Sequence, residues 1–225
     1  MNAPPQTDIL NVLPRGRHAA PRPVVRHAQR TRMLAAMVQA VADKGYARVA
    51  VADVIARAGV SRKTFYEQFA NKDDCFLAAY DATVDELLTT IDDALEALAP
   101  DWLEAHRAAV RAYLESLAAS PHFAKAFLIE VLGAGPEAVN RRAAVQDRFA
   151  AQLRDVHRRA RRDIPEIPEV PPHTFRAAVG AVTELVTAHV LERGAQTLPE
   201  LEDAILDVQL ALLVGREVAQ ALAAR

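Results

Sequence analysis

Apolar side chains recur at helical spacing over most of the chain. From Val24 to Gly45, Leu34, Met37, Val38 and Val41 fall on one face, and Gly45 is a natural C-terminal stop. Val51, Val54, Ile55 and Ala58 predict a short helix over about 51–58, after which Gly59 permits a left-handed turn. Ser61 is a good N-cap for a second short helix running to about Gln68. Asn71, with Asp74 three residues on, opens a long helix whose apolar side carries Leu77, Tyr80, Val84, Leu87, Leu88, Ile91, Leu95 and Leu98. Five more helices follow, near 101–119, 122–133, 137–162, 172–193 and 200–223, with Pro100, Pro121, Pro136, Pro171/Pro172 and Pro199 near their starts. β-branched runs bounded by turn residues are missing. The pattern predicts an all-α fold of about nine helices: a tail over 1–23, a three-helix unit over 24–70 and a larger helical unit over 71–225.

Charge divides the chain in the same way. The net charge is −2, yet residues 1–72 hold 12 Lys/Arg against 4 Asp/Glu, while residues 73–225 hold 15 against 25. A basic module suited to a polyanion precedes an acidic body with other work. The single cysteine, Cys75, cannot close an internal disulfide and fits a reducing, cytoplasmic setting. The most apolar run, "LALLVG" at 210–215, is far shorter than the roughly 20 residues of a membrane span, so no membrane partner is expected.

Aromatics sharpen the reading of the basic module. The chain has only one Trp, four Tyr and seven Phe, and three of these fall in "GVSRKTFYEQFANKDD" (59–74) beside Arg62 and Lys63. Two short helices joined at a glycine form a helix-turn-helix, whose second helix can enter the major groove and meet base edges. Phe65 and Phe69, four apart, are expected to anchor that helix with Val60 onto Ile55 and Leu34. Ser61, Arg62, Lys63 and Thr64 then lie at its exposed first turn, Tyr66 can offer a hydroxyl to a phosphate, and Lys72 lies beside the next helix start, which favours an anion.

The stretch "VADVIARAGVSRKTFYEQFANKDDCF" (51–76) resembles the DNA-binding motif of the TetR/AcrR family of transcriptional regulators. The resemblance rests on Ile55-Ala56, Ala58-Gly59-Val60-Ser61, Phe65-Tyr66, Phe69 and Lys72. It covers about 50 residues, and the remaining 150 carry no signature of their own. The family often places Thr or Ser on a phosphate at the start of the first short helix. This chain has Ala50 there, and Arg48 is the candidate replacement. In the tail, "PRGRH" (14–18) and "PRP" (21–23) resemble an AT-hook that departs at His18, which makes Arg15, Arg17 and Arg22 candidates for a narrow minor groove.

For the body, the resemblance implies an inducer pocket and dimerisation through the last two helices. Trp102, His106 and Tyr113 make a mixed stripe beside the core stripe of helix 101–119, and Phe175 and His189 join them as candidate ligand contacts. These residues also suit plain core packing. Small residues on helix 172–193 (Ala177, Ala181, Ala188) and the second apolar side of the last helix (Leu206, Leu210, Leu213) are the candidate dimer face.

No Gly-rich phosphate loop, paired-cysteine spacing or nucleophile elbow appears. No enzyme activity, metal or cofactor is expected. The combined expectation is a homodimeric repressor that leaves a near-palindromic double-stranded DNA operator when a small-molecule effector binds. A ligand-independent activator and a small-molecule-sequestering protein without operator recognition are the alternatives.

Overall fold

The computed structural model describes residues 21–98, 101–215 and 218. The described residues form nine α-helices and no strand: α1 (Arg22–Lys44), α2 (Val51–Ala58), α3 (Arg62–Tyr66), α4 (Lys72–Ala97), α5 (Trp102–Ala119), α6 (Pro121–Leu128), α7 (Pro136–Asp163), α8 (Pro172–Arg193) and α9 (Glu202–Leu213). Short 3-10 turns occupy Tyr46–Arg48, Glu130–Gly133 and Leu198–Leu201. Four boundaries differ from the sequence pattern. α1 starts two residues early, with Pro23 in its first turn, where a missing N–H costs no helical bond. α3 closes at Tyr66 instead of Gln68. The helix expected over 122–133 breaks after Leu128 into a 3-10 turn. The last helix starts at Glu202, and its expected end near 223 falls outside the described residues.

The first three helices enclose a small core of Met33, Met37, Val41, Val54, Phe65 and Phe69, each 2% exposed or less. Gly59 stops α2 at φ 62° and ψ 41°, the left-handed conformation that turns the chain into α3 without a Cβ clash. Ala50 is the N-cap of α2 and offers no side-chain acceptor. Half a capping box survives, because Asp53 Oδ2 accepts the Ala50 backbone N–H at 3.0 Å.

In the larger body α4 packs most extensively on α5. α4 and α7 lie side by side in the same direction: Arg141 pairs with Asp81 at 2.6 Å, Arg148 with Asp85 at 2.8 Å, and the Gln152 amide donates to Asp92 at 2.6 Å. α9 is tied to α5 by Arg107 and Arg111, which both donate to Glu202, at 3.0 Å and at 2.8 and 2.9 Å. The hydrogen bond from Arg111, with help from Arg107, holds the Glu202 carboxyl below the usual carboxylate range against the opposing effect of burial.

Two contacts join the three-helix head to α6 and the turn after it. Lys125 Nζ donates to the Ala42 carbonyl at 2.6 Å, satisfying an unpaired group in the last turn of α1. Glu130 Oε2 accepts the Tyr46 backbone N–H at 2.8 Å.

Candidate nucleic-acid interface and ligand cavity

The basic edge of the head starts from the capping of α3. Ser61 Oγ accepts the Thr64 backbone N–H at 3.0 Å and meets Thr64 Oγ1 at 2.9 Å, which satisfies a free donor of the first turn. Behind that turn Phe65 is fully buried and packs on Phe69 at 5.5 Å and on the edge of Tyr66 at 5.4 Å. The Arg30 guanidinium lies 4.5 Å over the Phe69 ring and donates to the Gln68 carbonyl, fastening the end of α3 to α1. α3 has only five residues, too few to hold a helix alone, so these contacts fix its shape.

On the opposite side Arg62, Lys63 and Tyr66 face solvent. The Lys63 side chain is 87% exposed, and its only acidic neighbour among the described residues is the exposed Glu67 at 3.9 Å. Two other cations of the head are engaged: Lys44 pairs with Asp53 and Arg57 with Asp43, both at 2.5 Å. The Lys44 hydrogen bond holds the Asp53 carboxyl below its ordinary value.

The remaining expected DNA contacts divide. Arg48 is exposed beside Ala50, with Nε donating to the Lys44 carbonyl at 2.6 Å. Lys72 turns inward: Nζ donates to the Tyr46 carbonyl at 3.2 Å and sits 4.0 Å over the Tyr46 ring. Arg22 belongs to α1 and not to a tail, and it is exposed. Arg15 and Arg17 lie outside the described residues.

The body contains a cavity of about 100 Å³, bounded by α4, α5, α6, α7, α8 and α9. On the water measure this is room for several molecules or a slender organic ligand. His106 and Tyr113 line it as the sequence suggested. Trp102, Phe175 and His189 do not. Trp102 is 7% exposed in the core at the start of α5. Phe175 packs on the His157 ring at 5.4 Å. His189 Nε2 meets Thr197 Oγ1 at 2.8 Å, which leaves it bracing the turn before α9. The wall is mostly aliphatic and aromatic, with Val110, Phe127, Phe149, Leu153 and Val182 among its side chains.

The polar groups of the wall include four that the sequence reading missed: Tyr80, Arg142, Gln146 and Gln209. They stand on α4, α7 and α9, whereas the expected ligand contacts lie on α5 and α8. Adjacent helical residues project about 100° apart, so Arg141 reaches out to Asp81 while Arg142 lines the cavity. Burial depresses the His106 pKa to about 4, with the neighbouring Gln209 side chain opposing the shift, so the imidazole is neutral at physiological pH. Burial likewise pushes the Tyr80 and Tyr113 phenols up, and the nearby Arg142 charge works against the rise in both. The described residues contain no group of three or more His, Cys, Asp or Glu that could hold a metal ion. None of their helices is long and apolar enough to cross a membrane.

The candidate dimer residues also divide. Ala177 is exposed, and Ala181, Ala188 and Leu210 are half-buried, but Leu206 and Leu213 are 2% and 5% exposed inside the protomer. The phase of α9 is shifted from the one expected: the arginines of α5 hold Glu202, and Leu206, Gln209 and Leu213 face inward together with Ile205. Leu185, Leu191 and Leu212 are the exposed leucines of α8 and α9 instead, at 37%, 67% and 42%.

Residues 33–79 match the family described as bacterial regulatory proteins, tetR family. An HTH-type transcriptional regulator of Mycobacterium tuberculosis is 27% identical over 189 residues, which is 82% of this chain and 92% of that one. The HTH-type transcriptional regulator EthR of Mycolicibacterium smegmatis is 31% identical over 124 residues, 55% of this chain and 56% of its own. Among solved structures, the fatty acid degradation regulator FadR from Bacillus halodurans superposes with a TM-score of 0.73 at 22% identity, covering 82% of this chain and 94% of that one. A FadR from Bacillus subtilis, solved in complex with stearoyl-CoA, gives 0.69 at 20% identity over 83% and 98%. The helix-turn-helix geometry and the match over residues 33–79 give this chain a DNA-binding domain of the tetR family of bacterial regulatory proteins, joined to a helical body that shares its fold with the FadR regulators.

Proposed function

We propose that the protein is a homodimeric repressor that releases a near-palindromic operator when a small effector occupies the body cavity. The head over 24–70 reads DNA and the body over 71–225 binds effector and partner. Arg62, Lys63 and Thr64 meet bases and phosphates in the major groove; Ser61, Tyr66 and Arg48 add phosphate contacts, and Arg22 lies at the edge of the same surface. Lys72 acts indirectly, by holding the Tyr46 turn beneath this edge. The second subunit covers the apolar and small residues of the α8–α9 face, including Ala177, Ala181, Ala188, Leu191 and Leu212. Such regulators work in the cytoplasm, and no step of this reading calls for enzyme chemistry.

One observation carries the effector part. α6 lines the cavity through Phe127 and Leu128, and the same helix holds the end of α1 through Lys125. A ligand that prefers one position of α6 therefore has a direct mechanical route to the head. The solved neighbours support the reading, since one FadR was captured with an acyl ligand and SmeT of Stenotrophomonas maltophilia is a repressor of an efflux pump.

The test is fluorescence anisotropy on DNA from the chain's own upstream region across a salt series. Specific, salt-dependent binding that Lys63→Glu removes is the expected result. Binding indistinguishable from that of random DNA would instead favour a sequestering protein.

A further inference from the structure

The cavity has one charged end. Tyr80 and Arg142 meet where α4 and α7 start alongside each other, beside the Arg141–Asp81 pair. Tyr80 is 3% exposed, and its hydroxyl has no hydrogen-bond partner. A buried hydroxyl in that state carries a desolvation penalty that a bound group can relieve. Arg142 forms no ion pair with any described acidic residue. The Gln146 amide, turned so that its hydrogen bonds are satisfied, presents its oxygen to Arg142 Nη2 at 3.2 Å and Nη1 at 3.3 Å. A neutral amide thus orients the guanidinium and leaves its charge uncompensated at the wall of an apolar slot.

From that end the lining continues along α7 to Val156, fourteen residues on, or about 21 Å of helix. The far part is closed by His106 and Gln209. His106 is two turns before Tyr113 on α5, is 6% exposed and stays neutral. Gln209 Oε1 is buried without a partner, so this end offers an unused acceptor but no charge.

We infer that the effector is an amphipathic monocarboxylate, with its carboxylate held by Arg142 and the Tyr80 hydroxyl and its hydrocarbon chain laid along the slot toward His106. A guanidinium receives a carboxylate through two parallel hydrogen bonds, and a phenol adds a third. This inference rests on reading the cavity as the effector site. It adds that selectivity is for one negative charge on an apolar chain, and against neutral, cationic and doubly charged relatives.

Calorimetric titration of the full chain with decanoate, decanol, decyltrimethylammonium and sebacate tests it. Decanoate is expected to bind about 10- to 100-fold more tightly than decanol. Sebacate is expected to bind more weakly than decanoate, because its second carboxylate would be buried beside neutral groups. Arg142→Gln should bring decanoate and decanol to similar affinity. Tyr80→Phe, which keeps the ring and its packing, should weaken decanoate about 2- to 10-fold and leave decanol unchanged. Decanol or the cation binding as well as decanoate, or a carboxylate preference surviving in Arg142→Gln, would overturn the assignment. Operator anisotropy with decanoate separates the two readings. Arg142-dependent binding that leaves operator affinity unchanged upholds the ligand chemistry and removes the effector role. Decanoate failing to bind while another compound releases the operator does the reverse.

Discussion

Glu130 and Tyr46 are 84 positions apart in sequence, yet the Glu130 carboxylate accepts the Tyr46 backbone N–H at 2.8 Å and closes the seam between body and head. Glu130 is the first residue of the 3-10 turn after α6. Had the helix continued unbroken through Gly133, Glu130 would have left α6 in a different direction.

Replacing Glu130 with Ala leaves a half-buried N–H without its acceptor and is expected to cost about 1–3 kcal/mol. Glu130→Gln keeps a carbonyl oxygen at the same reach and should recover most of the loss. Urea unfolding of the two variants beside the parent checks both statements, and equal losses would remove the seam from the account.

The head contains separable reading and packing residues. Lys63→Glu reverses an exposed charge and should abolish specific operator binding while the melting temperature stays put. Phe65→Ala empties a fully buried site and should destabilise the protein by ~3–5 kcal/mol. Gel shift and calorimetry on the same two proteins make the comparison.

Assembly should follow the exposed face of α8 and α9. A carboxylate placed by Leu191→Glu or Ala181→Glu enters the proposed partner contact, and each variant should sediment as a folded monomer with weakened operator binding. Leu206→Glu puts the same charge inside the protomer, where it should unfold the body first. A parent protein that sediments as a monomer at micromolar concentration would refute the dimer.

His106 sets a pH dependence of known sign. Its folded-state pKa of about 4 lies below the unfolded value of 6.5. The unfolded chain therefore binds the proton more readily, and stability falls as pH drops from 6.5 toward 4. Between pH 7 and pH 5 the contribution of this residue to the loss is about 2 kcal/mol. His157 is displaced in the same direction by burial, so the test is a difference: His106→Gln should show a shallower decline than the parent in urea titrations at the two pH values.

The head was largely legible in sequence because its chemistry is local. Gly59, the Ser61 cap and the Phe65/Phe69 spacing act within a few residues of each other, and each occupies the expected place. Lys72 was misplaced because its partner, the Tyr46 carbonyl, is 26 positions away. The body was legible as helices but not as a site. Which side of α9 faces inward depends on Arg107 and Arg111 reaching Glu202, more than ninety positions on. The inward turn of Arg142 likewise depends on Asp81 having taken its neighbour Arg141. Periodicity shows that a helix has an apolar side, and long-range ion pairs decide what that side meets.

Cys75, at the root of α4, is fully enclosed, and burial pushes its thiol up to about 12. A thiol so placed can react with a labelling reagent only while the packing around it is open. Because the chain has one cysteine, the labelling rate is a clock for that opening alone. When opening and closing outrun the chemistry, the rate follows the open population. The protein therefore contains its own gauge of how often the packing at the root of the long helix opens, legible by mass spectrometry without any mutation or DNA.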